Sequence, residues 1–278
     1  MLIITGALVT SNASISTTTS QSLANSSEVS RGIGGVSLEQ VHRGAALPVM
    51  VLMLGIAVWL SLAKASRWLR SAVWAAMAAL IVEGVLGEAA VLRWMPGMTN
   101  FSHAYLAQLL FSCTVAIAVF TSPAWNRRPD LVQDRFSIRT MSLLVPSLVL
   151  VQVALGAASR YQAMGVLTHI FGAFVVAVFV LVVGVLVVKQ YPDHRSLRLA
   201  AIALMSITGL QVLLGFAAFI TLLMSNQVTL PVVVSTVAHV ATGALTLAAS
   251  VVLAIQIRHH VRAAQSNWPE SSPDARPS

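Results

Sequence analysis

Residues 140–188 read TMSLLVPSLVLVQVALGAASRYQAMGVLTHIFGAFVVAVFVLVVGVLVV. A single charged residue, Arg160, stands between two apolar runs, 140–160 and 165–188. A helix needs about 20 apolar residues to cross a hydrocarbon core of about 30 Å, because a backbone facing lipid must satisfy its own hydrogen bonds. Both runs meet that length, and the short break between them makes an antiparallel hairpin. Five more stretches read the same way: 41–62, 71–93, 102–122, 198–224 and 232–257. The chain of 278 residues is 57% hydrophobic and only 9% charged, with a mean hydropathy of +0.82. Charge this sparse excludes a soluble enzyme, a disordered chain and an ordinary nucleic-acid binder, despite a net charge of +8. The lone Cys113 excludes a disulfide framework and a cysteine-based zinc or iron–sulfur site. The fold class is an all-α polytopic membrane protein.

The basic residues are topology signals. Thirteen of the seventeen Lys and Arg fall in one set of connections: Lys64, Arg67, Arg70, Arg127, Arg128, Arg135, Arg139, Lys189, Arg195, Arg198, Arg258, Arg262 and Arg276. Arg31, Arg43, Arg93 and Arg160 fall on the other side. This asymmetry predicts a cytoplasmic C-terminus in a cell membrane and places the polar 11–40 loop outside. His194, His259 and His260 then sit in cytoplasmic basic segments, where solvated side chains are expected.

A repeat runs through the spans. Three helix ends read Glu83-Gly-Val-Leu-Gly87, Gln152-Val-Ala-Leu-Gly156 and Gln211-Val-Leu-Leu-Gly215. Each is followed by an outside loop and a helix with one early histidine: His103, His169 and His239. His42 opens the first full span in the same way, and the Gly6-Ala7 before it matches Gly156-Ala157. The pattern predicts four helical hairpins in two four-helix bundles, with the first helix, Met1–Thr10, largely truncated. A start codon assigned too late would explain the short first helix, and a full eighth span would put the N-terminus in the cytoplasm. The halves are expected at 1–122 and 140–257, with a cytoplasmic linker at 123–139 and a disordered tail at 258–278.

A single histidine near a helix end is ordinarily an interfacial residue, but polar side chains in lipid are costly enough that four at equivalent positions call for a function. Small residues follow each on the same helix face: Ala45 and Ala46, Ala107, Gly172, and Ala241 with Gly243. That leaves room for a flat ligand held by imidazole, and two helices of a bundle can supply one haem ligand each. Two haem-sized sites, one per half, are the expectation. Glu39 stands one turn before His42 on the same face, where it serves either as an acid, base or cation stabiliser, or as an ordinary carboxylate at a helix N-terminus. Arg43, Arg93 and Arg160, at the outer helix ends, are candidate contacts for haem propionates, or interfacial residues. Glu83, standing where later repeats have Gln, and Glu88 read equally as proton-delivery groups or as structural carboxyls.

Taken together, the E-x-x-H-R sequence at Glu39–Arg43, the recurring Q-x-x-L-G and one histidine per hairpin resemble the haem A synthase family over nearly all of 1–257. The resemblance implies a C-terminal half that keeps a permanent haem b on His169 and His239. It implies haem O as substrate on His42 and His103, with Glu39 as the catalytic carboxylate. The family oxidises the C8 methyl of haem O to the formyl of haem A for cytochrome oxidase assembly, which makes the haem O synthase an expected partner. Many bacterial relatives carry a cysteine pair in the first outside loop; this chain has none there. Two other readings stand beside the enzyme: a b-type electron-transfer cytochrome, and a haem-binding assembly protein without methyl oxidation.

Overall fold

The computed structural model describes residues 1–16, 37–92, 94–125, 128–134, 137–225 and 229–262. Helices dominate: α1 (Leu2–Ser16), α2 (Leu38–Leu62), α3 (Arg67–Val91), α4 (Pro96–Thr121), α5 (Ile138–Arg160), α6 (Val166–Gln190), α7 (Arg195–Met224) and α8 (Leu230–His260). Two short strands, β1 (Val132–Gln133) and β2 (Val261–Arg262), complete the order. Helices α2 to α8 are each long and apolar enough to cross a membrane, as the hydropathy pattern predicts. The chain is a multi-pass α-helical membrane protein. Its α1 is a shorter apolar helix, which packs against α2 and α8.

Successive helices are antiparallel neighbours because most connections between them are short. Two separate apolar clusters hold the halves. Met53, Ala57, Leu60, Leu69, Val73 and Met77 form the first, between α2 and α3, and Ile117 of α4 joins them. The second is larger and valine-rich, with Val145, Val180, Val183, Val187, Leu204 and Leu253 among its most buried members. Helix α8 belongs to both halves: it packs on α5 and α7 within its own bundle, and on α1 and α4 of the other. Half of its apolar window is buried, against 11–28% in the other six spans. Its small side chains make this possible, since Ser235, Thr242, Ala244, Ala248 and Ser250 let neighbouring backbones approach. The hydroxyls of Thr242, Thr246 and Ser250 donate to carbonyls of their own helix at 2.6–2.9 Å, so the buried seam carries them without loss.

The end rich in basic residues is tied together by backbone and rings. Strand β1, in the connection between the halves, pairs in parallel with β2 beyond α8, Val132 opposite Val261 and Gln133 opposite Arg262. Asp134 caps α5, accepting from the Ile138 and Arg139 backbone N–H groups at 2.8 and 3.1 Å. Arg139 donates to the carbonyls of Arg258 and Val261, and the Tyr191 hydroxyl donates to the Gln133 carbonyl at 3.0 Å. The segments read as a linker at 123–139 and a disordered tail from 258 therefore contain ordered structure. α5 begins inside the first, while α8 and β2 carry the second to Arg262 because this ladder gives their backbone partners; residues 263–278 lie outside the described residues. Of the 11–40 loop, 11–16 continue α1 and 38–40 begin α2, while 17–36 lie outside the described residues.

Leu253 on α8 is 1% exposed and Leu213 on α7 is 69% exposed. Truncating Leu253 to Ala is expected to cost about 2–5 kcal/mol, the usual range for a cavity in a packed core. Leu213→Ala faces lipid and should stay within about 0.5 kcal/mol. Thermal unfolding of both variants in detergent micelles checks this; equal losses would contradict the central position of α8.

Candidate functional site

The four histidines occupy the early turns of α2, α4, α6 and α8, and each ring lies against the helix before its own. The contact is the same in all four hairpins. A Cβ placed on Gly6, Gly87, Gly156 or Gly215 would stand 3.1, 3.1, 2.9 or 2.8 Å from the Cε1 of His42, His103, His169 or His239. Glycine at these positions is what lets an imidazole rest on a helix backbone. Four residues before each glycine, a backbone carbonyl reaches the same ring. His103 Nδ1 donates to the Glu83 carbonyl and His239 Nδ1 to the Gln211 carbonyl, both at 3.2 Å. The other two rings lie beside the Gln152 and Leu2 carbonyls, but the groups at their Nδ1 atoms are side chains: the Gln152 amide nitrogen stands 2.9 Å from His169 Nδ1, and the Thr5 hydroxyl 2.9 Å from His42 Nδ1. In a helix that carbonyl already accepts from the glycine N–H four residues on, and its second lone pair takes the imidazole. At His103 and His239, holding Nδ1–H on a carbonyl fixes the tautomer and leaves Nε2 unprotonated, the arrangement usual for a histidine that binds a metal.

The rings come together in pairs. His42 and His103 have centroids 6.2 Å apart with planes at 89°; His169 and His239 are 6.1 Å apart with planes at 83°. These are the pairings expected from the sequence. An imidazole–metal bond is about 2 Å, and adding about 1 Å from nitrogen to ring centre on each side puts two imidazoles sharing one ion about 6 Å apart. Both pairs have that separation. Among the described residues, no three His, Cys, Asp or Glu side chains gather into a metal cluster. An ion shared by one histidine pair would need ligands beyond those the described residues bring there, and a porphyrin is a group that could supply them. At His239 the Gln211 amide nitrogen stands 3.5 Å from Nε2, a long contact that a ligated iron would replace.

The three carboxylates at this end have different surroundings. Glu39 lies in the first turn of α2, behind a Ser37–Gln40 capping box, and its Oε1 accepts from Arg43 at 3.0 Å. The same guanidinium reaches Glu88 on α3 at 2.9 Å. Arg43 thus clamps two carboxylates at the rim. The carboxylate on a histidine is that of Glu83, whose Oε1 stands 3.1 Å from His103 Nδ1. Arg160 donates to the hydroxyls of Thr10 (2.7 Å) and Ser11 (3.0 Å) on α1, tying the C-terminal half to the N-terminal helix, and it also acts electrostatically on His239. Next to it, burial raises the Tyr161 phenol above its ordinary pKa, with the Arg160 charge holding the rise back. Arg93 lies outside the described residues.

Two of the small residues following the histidines have other neighbours than the sequence suggests. Gly172 receives the Gln152 side chain, whose Oε1 occupies the space an added Cβ would need. Gly243 receives Gln211, with Gln108 of α4 beside it. Gln152 is held there by its amide nitrogen, which donates to the His169 carbonyl at 2.8 Å. Sequence reading found the Gln–Gly register but not this role; the constant spacing of carbonyl, glycine and histidine is the signal that carries it. It also misplaced His194. That residue is 8% exposed and caps α7, accepting from the Leu197 N–H, while its Nε2 lies 3.2 Å from the Asp130 carbonyl. His260 reaches the same carbonyl at 3.2 Å, and His259 stacks on Trp125 at 4.0 Å. Those three histidines are structural ties of the basic end.

Comparison with family models, curated proteins and solved structures finds no match.

The glycine contacts make a direct prediction. Gly156→Ala and Gly215→Ala should each cost about 1–3 kcal/mol, since the added methyl meets a ring that its carbonyl holds in place. Gly209→Ala on α7, with nothing within 4 Å, should be neutral or gain up to about 1 kcal/mol in helix propensity. Thermal unfolding of the three variants reads the difference.

Proposed function

We propose that this chain is a haem A synthase-like oxidoreductase of the cell membrane, whose two histidine pairs would each hold a haem. His169 and His239 hold a permanent haem b. His42 and His103 hold the substrate, haem O, whose C8 methyl is oxidised to a formyl group for cytochrome oxidase assembly. The observation that carries the reading is the fourfold contact of histidine, glycine and carbonyl, together with the 6.2 and 6.1 Å pair separations. The haem O synthase is the natural donor of the substrate. The basic end, with Arg67, Arg70, Arg139 and Arg198, faces the cytoplasm, and the histidine end faces outward.

When bound, haem supplies the redox chemistry, and the protein supplies position and charge. Each of the two oxidations of the methyl carbon would remove two electrons, passed on to an electron acceptor outside the chain, and release protons, with a water oxygen entering at the first. Glu39 and Glu88, held by Arg43, offer carboxylates at the rim of the substrate half to take up those protons and to stabilise positive charge. One guanidinium between two carboxylates leaves the group with a formal charge of −1, which favours that role. Arg160 is a candidate propionate contact in the C-terminal half, and its present bonds to Thr10 and Ser11 keep it at the histidine end. Arg43 and Arg93 are the candidates in the first half.

One observation favours the electron-transfer cytochrome instead: Glu39 pairs with Arg43, whereas His42 is bonded by α1. Haem extraction separates the two. The full chain, expressed with a haem O source, is expected to yield the hydroxylated intermediate and haem A. Absence of both, with two haems still bound, would leave the cytochrome reading. His169→Ala and His239→Ala should each abolish the low-spin haem b spectrum, and survival of that spectrum in both would overturn the division between halves. Glu39→Ala should keep haem but lose product.

A further inference from the structure

Glu83 breaks the symmetry of the four hairpins. At its position, four residues before the contacting glycine, the third and fourth hairpins have Gln152 and Gln211 and the first has Leu2. All four contribute the backbone carbonyl, but Glu83 alone adds a carboxylate. Its Oε1 stands 3.1 Å from His103 Nδ1, so that one ring nitrogen faces both the side chain and the carbonyl of the same residue. Glu83 is 8% exposed, and its Oε2 is buried without a hydrogen-bond partner. No described Lys or Arg pairs with it, since Arg43 is taken up by Glu39 and Glu88. In the C-terminal half the corresponding groups are neutral amides: Gln152 Nε2 lies 2.9 Å from His169 Nδ1, and Gln211 Nε2 lies 3.5 Å from His239 Nε2.

A carboxylate accepting the Nδ1–H of a ligating imidazole draws its proton away and makes Nε2 a stronger donor, and a stronger donor stabilises the higher oxidation state of the metal. An amide does this far less.

We infer that Glu83 is a positioning residue that differentiates the two haem sites: through its hydrogen bond to His103 it gives the His42–His103 site the more strongly donating axial ligand, and hence a lower reduction potential than the His169–His239 site. The inference rests on the proposed haem sites. It gives the halves different work, with a substrate site that holds its iron ferric and an amide-lined site that accepts electrons more readily.

Redox titration of the purified, haem-loaded full-length protein tests it, followed by visible absorption and by electron paramagnetic resonance of the ferric state. Glu83→Gln gives the second hairpin the residue of the third and fourth. It should move the midpoint of the His42–His103 haem positive, by about tenfold in the ferric-to-ferrous ratio at fixed potential, or about 59 mV for one electron. The His169–His239 midpoint should stay in place. The reciprocal Gln152→Glu should move the His169–His239 midpoint negative and leave the other unchanged. A bound haem at the first site with an unmoved midpoint in Glu83→Gln overturns the inference. Should that variant lose haem from the first half, Gln152→Glu decides, and no negative shift there overturns it equally. Wild-type protein without haem on either pair would instead refute the proposed function, an outcome read before any variant is made.

Discussion

The interaction on which the rest depends is the grip of a backbone carbonyl on a histidine ring across two helices. The carbonyls of Glu83 and Gln211 hold two of the imidazoles at 3.2 Å, those of Leu2 and Gln152 lie beside the other two, and the glycine one turn later removes the Cβ that would press on each ring. A helix carbonyl in lipid already has its partner along the helix, so the second bond satisfies the imidazole N–H without leaving any backbone group bare. The price of placing an imidazole in an apolar bundle is thereby met locally. One nitrogen is anchored and the other is left for chemistry.

Repetition of that grip determines the architecture of the site. Because each histidine leans on the preceding helix, the hairpin is the unit, and two hairpins bring their rings together, planes nearly perpendicular, at 6.2 or 6.1 Å. The apolar clusters lie toward the other end, around Leu60 and Leu69 in one half and Val187 and Leu197 in the other. Packing is thus densest away from the histidines, while the histidine end is lined with polar side chains. Helix α8 joins the two regions. It brings His239 to its partner at one end, and at the other it runs into the β1–β2 ladder that fastens the connection between the halves.

Much of this was legible in the residues themselves. The spans are visible because lipid demands long apolar helices, and the hairpin register is visible because Gln152–Gly156 and Gln211–Gly215 repeat ahead of His169 and His239. The pairing of His42 with His103 and of His169 with His239 follows from that register. Less legible were contacts between residues with no fixed spacing. Arg43 divides itself between Glu39 on its own helix and Glu88 on the next, and the second partner is invisible to a helical-face argument. Gln152 and Gln211 fill the gaps at Gly172 and Gly243, which a single helix presents as open. His194 looks like a solvated residue in a basic segment until the β ladder brings Asp130 and His260 beside it.

The sequence by itself determined the membrane, the number of long spans and the one-histidine-per-hairpin rhythm, because these depend only on composition and on periodicity along one chain. Tertiary structure alone decided which carboxylate touches a histidine. Glu39, one turn from His42, is drawn off by a guanidinium at the rim, while Glu83, twenty residues before His103 in sequence, is brought to 3.1 Å from its ring. Proximity along a helix fixes only the face a side chain shares. The hairpin turn and the missing Cβ of Gly87 fix which ring comes to lie against it.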